Sequence, residues 1–309
     1  MRSQDVTLPP GNHALFLVLG LNRPDDIEPV KGVCGELPAI VRSLRGRFPN
    51  DEVSCVFGFG SSAWDHLFPK RKKPRELVTF VEIKGEKHTA PSTPGDLFFH
   101  VRSTRADLAY EVAAQVSSIL GDSVFSIDEV TGFRYLDGRA IIGFVDGTEN
   151  PDHAEDRERF AVIGANEPDF AGGSYAFVQK YLHDWKAWQS TETPEQERAV
   201  GRRKYDDREL PEELKPESAH NVVTNIKGDT GEELKIVRAN MPFALTSKGE
   251  YGTYFIGYSS TFETTKRMLE NMFVGDPPGN SDRLLDFSTA HTGTLFFIPS
   301  VELLEELAE

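Results

Sequence analysis

The densest group of potentially reactive side chains in this 309-residue chain is the string Gly143-Phe-Val-Asp146-Gly147-Thr148-Glu149-Asn150-Pro151. Two glycines bracket one carboxylate, and three more polar groups follow within four residues. Glycine lets the backbone approach a ligand closely because no Cβ intervenes. The apolar run Ala140-Ile-Ile142 leads in and would seat Asp146 in a poorly solvated pocket. The same string also reads as a plain turn, since Asp-Gly and Asn-Pro are common turn and stop dipeptides. A second unusual placement is Arg238 in Lys235-Ile-Val-Arg238-Ala-Asn240-Met-Pro242, because a guanidinium inside an apolar strand is costly unless paired. Eight histidines are available, and by residue type alone each reads as an ordinary core or surface histidine. Gly58-Phe-Gly60-Ser-Ser62 lacks the lysine and glycine spacing of a phosphate loop, and no HExxH string or Ser-His-Asp order occurs.

Such groups need elements to position them. Ala14 to Leu19, Glu52 to Phe59, Leu97 to Val101 and Val124 to Tyr135 read as strands. Between them, Pro29 to Phe48 and Arg105 to Leu120 carry apolar residues at helical spacing. The C-terminal half repeats the order. Its strands are Ser174 to Lys180, Leu234 to Arg238, Gly252 to Ser259 and Thr294 to Pro299. Its helices are Thr193 to Gly201, with Thr193 as N-cap, and Thr261 to Phe273, capped by Ser260. Two β-α-β-β-α-β halves predict an α+β chain of two ferredoxin-like domains, 1–142 and 143–309, each an antiparallel β-sheet with helices packed on one face. Pro69 to Arg75, Asn150 to Arg159 and Tyr205 to Glu217 read as charged, solvated loops.

Composition narrows the function. Hydrophobic residues at 39% and charged residues at 27% suit a soluble globular protein, and the net charge of −15 disfavours nucleic acid and anionic membrane surfaces as partners. Cys34 and Cys55 form no CxxC pair and read as half-buried thiols in a reducing cytoplasm. The N-terminus lacks a signal-peptide pattern, and Ala14 to Leu19 is too short to span a bilayer, so a soluble cytoplasmic protein is expected.

Gly143-x-x-Asp146-Gly147 followed by Thr-Glu-Asn-Pro resembles the GxxDG signature of the dye-decolourising peroxidases, and the resemblance runs along nearly the whole chain. It implies two ferredoxin-like domains, with one haem b per chain in the C-terminal half. The motif aspartate, Asp146, would lie on the distal side. His220, in Glu217-Ser-Ala-His220-Asn-Val-Val-Thr-Asn225, matches the segment carrying the family's iron ligand, and so is the expected metal ligand. Arg238 matches the distal arginine, and Asn240 is similar to a distal asparagine of the B-type subgroup. Asp282 is the better match to the family's aspartate behind the histidine, ahead of Asp286, and Arg202 resembles a propionate contact. Gly147, Thr148, Glu149 and Asn150 could supply further propionate contacts. Phe255, Leu269, Met272 and Phe273 could pack on the porphyrin or simply fill the core.

The implied activity is reduction of hydrogen peroxide with oxidation of dyes, phenols or similar one-electron donors. Asp146 would move the proton and Arg238 would stabilise charge on the leaving oxygen. An aspartate base suits acid pH. The alternative on the same scaffold is a haem- or porphyrin-handling protein, for iron release or haem storage, which would not need both Asp146 and Arg238. Tyr251, Tyr254, Trp185 and Trp188 are candidate electron relays for bulky donors. A homo-oligomer is expected. Some relatives enter encapsulin shells through an extended C-terminal tail. Because Glu305 to Glu309 directly follow the last expected element, no such address is expected here.

Overall fold

The first apolar run folds as strand β1 (His13–Leu21) in a computed structural model that describes residues 1–23 and 25–309. Ala14, Phe16 and Val18 face one apolar cluster, while Leu15, Leu17, Leu19 and Leu21 face another. A strand buried on both faces reads as a continuous apolar run rather than as an alternation. The N-terminal half continues with α1 (Glu28–Arg47), β2 (Val53–Gly60), α2 (Ser61–Leu67), the small hairpin β3 (Ile83–Lys84) and β4 (Thr89–Ala90), β5 (Leu97–Ser103), α3 (Ala106–Leu120) and β6 (Val124–Phe133). The C-terminal half contains α4 (Ala154–Ala161), β7 (Ser174–His183), α5 (Trp185–Ser190), α6 (Thr193–Val200), α7 (His220–Val223) and the hairpin β8 (Ile226–Lys227) with β9 (Glu233–Leu234). Then come β10 (Val237–Arg238), β11 (Met241–Leu245), β12 (Glu250–Ser259), α8 (Phe262–Phe273), β13 (Ser288–Ala290), β14 (Thr294–Ile298) and α9 (Val301–Leu307).

Ten strands form one antiparallel sheet in the order β10-β12-β7-β14-β2-β5-β1-β6, with β11 on β12 and β13 on β7. The two halves join where β14 pairs with β2, Phe296 opposite Gly60 and Phe297 opposite Phe59. At the two ends of that order β6 packs against β11, Gly132 lying against Met241. The sheet thus curls around the cluster that holds Phe16, Phe98, Tyr254 and Phe296. Helices α1, α3 and α8 cover the outer face and bury their apolar stripes there. Each half of the sheet therefore carries helices on its outer face, and the two halves share the interior.

Several local expectations need correction. Asn150 to Arg159 is not all loop: α4 begins at Ala154, with Glu155 and Asp156 in its first turn and Arg159 in its last, charges that suit the helix dipole. Leu234 to Arg238 is not one strand, because β9 pairs with β8 while β10 pairs with β12. Glu192 rather than Thr193 caps α6, and the Gln196 side chain donates to the Trp188 carbonyl instead of turning back to the cap. Thr261 rather than Ser260 occupies the N-cap of α8. The last glutamates belong largely to α9, which buries Leu304 and Leu307. Cys34 and Cys55 are fully rather than half-buried, and burial pushes both thiols up to about 12. No helix among the described residues is long and apolar enough to cross a membrane.

Candidate active site

The outer face of the C-terminal half carries an open cleft built from segments of both its strands and its helices. Its walls are mostly apolar, with Ile142, Phe144, Phe255 and Leu285 among them. Helix α8 contributes Thr265, Met268, Leu269 and Met272, one stripe at helical spacing. Phe273 is not part of that lining. It lies beside the stripe and is buried in the core.

One wall brings together Asp146, Asn240 and Arg238 from segments roughly ninety residues apart. The Asp146 loop is shaped by Gly143 (φ +95°) and Gly147 (φ +82°), both in the left-handed region that favours glycine. Arg139 braces it: Nη1 donates to the carbonyls of Gly143 (3.0 Å) and Lys204 (2.5 Å). Asn240 Nδ2 donates to Asp146 Oδ1 at 3.2 Å. Its Oδ1 accepts the Ile256 N–H at 3.1 Å, where the β-register would otherwise supply the Ala239 carbonyl. The ladder thereby holds the Asn240 amide in place, and the amide holds the carboxylate. Three cations, Arg202, Lys235 and Arg238, line the cleft. Arg202 is paired with Glu149 and Lys235 with Glu233 (3.2 Å), whereas the Arg238 guanidinium has no carboxylate partner among the described residues. A second cavity borders the same wall, sharing Asp146, Gly147, Arg238 and Asn240 and adding Arg134, Arg139 and Asn150.

His220 opens α7 and also lines the cleft. Its Nδ1 lies 2.6 Å from Asp282 Oδ2. Asp282 is 1% exposed, and its Oδ1 accepts the Leu284 N–H at 2.9 Å. A buried carboxylate acceptor fixes the N–H on Nδ1, which leaves Nε2 as a free lone pair, the form that binds a metal. Asp286 sits elsewhere, 3.2 Å from His88 Nε2.

At the rim, Arg202 Nη1 donates to the Asp207 carbonyl (2.8 Å) and Thr148 Oγ1 to Asp207 Oδ2 (2.8 Å). Gly147, Thr148, Glu149 and Arg202 all border the cleft, while Asn150 borders only the second cavity. Trp185 and Tyr251 stack with centroids 5.1 Å apart. Trp188 is buried, with Nε1 donating to the Ile142 carbonyl at 2.9 Å, and Tyr254 points into the interior that the curled sheet encloses.

Sequence reasoning missed Tyr181 and His183, which also line the cleft. Strand β7 runs three residues beyond its expected end at Lys180, and its period of two carries Gln179, Tyr181 and His183 onto the cleft side. The imidazole of His183 sits between Ser288 Oγ (2.7 Å) and Thr253 Oγ1 (3.0 Å), and burial pushes its pKa down from 6.5 to about 4. The folded state therefore keeps His183 neutral, while the unfolded chain takes up a proton below about pH 6.5. Stability should fall as pH drops from 6.5 to 4, by up to about 3 kcal/mol from this residue. In His183→Gln apoprotein, thermal melts should vary less over that window than those of the parent. Parallel curves would remove His183 as a source of acid lability.

Comparison with known proteins gives a consistent result. Residues 5–134 match the family model for the N-terminal part of the Dyp-type peroxidases, and residues 137–303 match that for the C-terminal part. The chain is 48% identical to the dye-decolorizing peroxidase of Mycolicibacterium paratuberculosis, over 99% of this chain and 86% of that protein. It is 47% identical to that of Mycobacterium tuberculosis, over 98% and 89%. The crystal structure of a dye-decolorizing peroxidase from Bacteroides thetaiotaomicron superposes with a TM-score of 0.96 at 59% identity, covering 100% of this chain and 99% of that one. DyPB from Rhodococcus jostii superposes with a TM-score of 0.95 at 46% identity, covering 99% and 98%. Variants of that protein have been solved in complex with heme.

Proposed function

The chain belongs to the Dyp-type peroxidase family, and on that premise we propose how its residues divide the work of a haem peroxidase. The observation that carries this division is one cleft faced both by His220, held by buried Asp282, and by the wall of Asp146, Asn240 and Arg238. These residues fit a haem. The cleft is open and mostly apolar, one imidazole presents a free Nε2, and Arg202 stands at the rim for a propionate.

When bound, the haem supplies a redox-active iron with a coordination position open to peroxide. Asp282 accepts the Nδ1–H of His220, which orients the ring and makes Nε2 a stronger donor. The Asp146 carboxylate would take a proton from one oxygen of peroxide and return it to the other, departing oxygen. Asn240 pins Oδ1 and leaves Oδ2 for that transfer. The Arg238 guanidinium, with no carboxylate of its own, stabilises negative charge on the departing oxygen. Two electrons from small donors such as phenols or dyes, with two protons, complete the conversion of peroxide to two waters.

A haem-storage or iron-release role would have no use for an acid–base group and an unpaired cation on one wall. We further propose that the domains are 1–142 and 143–309, that the chain assembles as a homo-oligomer, and that it works in the cytoplasm. Two buried free thiols suit a reducing compartment. To test the reading, haem-loaded protein is mixed with one equivalent of peroxide. The Soret band should change within milliseconds and return after two equivalents of a one-electron donor. No spectral change with peroxide, or dye oxidation independent of peroxide, would refute it.

A further inference from the structure

Asn150 does not point along the main cleft. Its side-chain amide lies against the backbone of Arg238: Oδ1 accepts the Arg238 N–H at 2.8 Å, and Nδ2 donates to the Arg238 carbonyl at 2.8 Å. Arg238 lies on β10, the terminal strand of the main sheet order. In an antiparallel ladder alternate residues turn their N–H and C=O outward, and Ala239, the next residue, donates its N–H inward to the Ile256 carbonyl. Both polar backbone groups of Arg238 therefore face away from β12, and the amide pairs with them as a one-residue extra strand would.

Asn150 is itself held, its N–H donating to the Gly147 carbonyl at 2.9 Å in the turn that follows Asp146. The loop carrying the acid is thus docked on the strand carrying the cation. Asn240 makes the reciprocal tie, from the Arg238 strand to the Asp146 carboxylate.

We propose that Asn150 is a positioning residue for peroxide cleavage. It fixes the main chain of Arg238, and so the origin of the guanidinium, relative to Asp146. This rests on the roles proposed above for Asp146 and Arg238. A residue that acts through Arg238 should have no further effect once the guanidinium is gone.

The test is a double-mutant cycle on haem-loaded protein: parent, Asn150→Ala, Arg238→Leu and the double variant. Two readouts are taken, the stopped-flow rate of the spectral change with peroxide and residue-resolved amide exchange. Asn150→Ala should slow the peroxide step about tenfold, the scale of losing two ordinary hydrogen bonds. The double variant should react within twofold of Arg238→Leu alone. The Arg238 amide should exchange at least tenfold faster in Asn150→Ala than in the parent. Asn150→Asp guards against misfolding, because it keeps the size and the acceptor for the N–H but sets an oxygen against the Arg238 carbonyl. It should show the same slowing. A multiplicative loss in the double variant, unchanged exchange at Arg238, or parent-like rates in Asn150→Asp would each overturn the proposal. If the parent itself shows no spectral change with peroxide, the peroxidase reading fails, while the exchange result still reports on the clamp.

Discussion

Replacing His220 with alanine should strip the chain of most of its haem while leaving its fold intact. His220 stands at the first position of a four-residue helix and is only partly buried, so its loss opens a small gap at a cleft wall rather than in the core. The loss for the cofactor is larger, because no second imidazole lining the cleft has a free nitrogen. Both ring nitrogens of His183, the other histidine there, are already engaged by hydroxyls. The Soret absorbance per chain should fall to a small fraction, with the far-ultraviolet circular dichroism unchanged. Added imidazole should restore part of it by occupying the vacated space. Asp282→Asn should be milder and differently caused. An amide can offer one oxygen, yet the position must accept both the His220 Nδ1–H and the Leu284 N–H. One of the two is left unpaired in a buried place, at about 1–3 kcal/mol, and affinity for the metal group should drop about 10- to 100-fold. A His220→Ala protein that keeps full Soret absorbance and an unchanged histidine-type axial signature would end the assignment of the ligand.

What the sequence made legible follows from how local each signal is. Strand β1 could be read from six consecutive apolar residues because both of its faces are buried, and α3 from its spacing of Leu108, Val112 and Val116. The Gly143 to Asn150 string stood out because its chemistry is concentrated in eight residues. Other parts of the site are not local. The His220–Asp282 pair spans 62 residues and the Asn150–Arg238 clamp 88, so each exists only once the sheet register is set. Without the resemblance, His220 looks like any other of the eight histidines. His183 was hidden because Lys180 interrupts the apolar run and Asp184 ends it within four residues, whereas pairing with β12 and β13 extends β7 to His183. The local rules also misplaced the N-caps of α6 and α8, where tertiary partners won. Glu76 accepts the Glu263 N–H at 3.0 Å, and Gln196 bonds Trp188 and Lys204.

Arg238→Leu and Asp146→Asn should both slow the reaction with peroxide, but with different pH profiles. Asp146→Asn keeps the shape and the Asn240 contact but removes the base, a loss of about 10²-fold or more near the acid end. The defect should shrink as pH rises, because a growing share of peroxide then arrives as the hydroperoxide anion and needs no base. Arg238 has no such substitute. The other cations lining the cleft, Arg202 and Lys235, are held by Glu149 and Glu233. Guanidinium does not titrate in the accessible range, so Arg238→Leu should lose about 10²- to 10³-fold at every pH, the scale of removing one preorganised charge-stabilising donor. Near neutrality it should be the more damaging of the two. Stopped-flow absorbance after mixing with peroxide, from pH 4 to about pH 9, gives both profiles. A parent-like rate in Arg238→Leu, with Asp146→Asn equally slow at all pH values, would mean that the proton and the charge are handled by other groups.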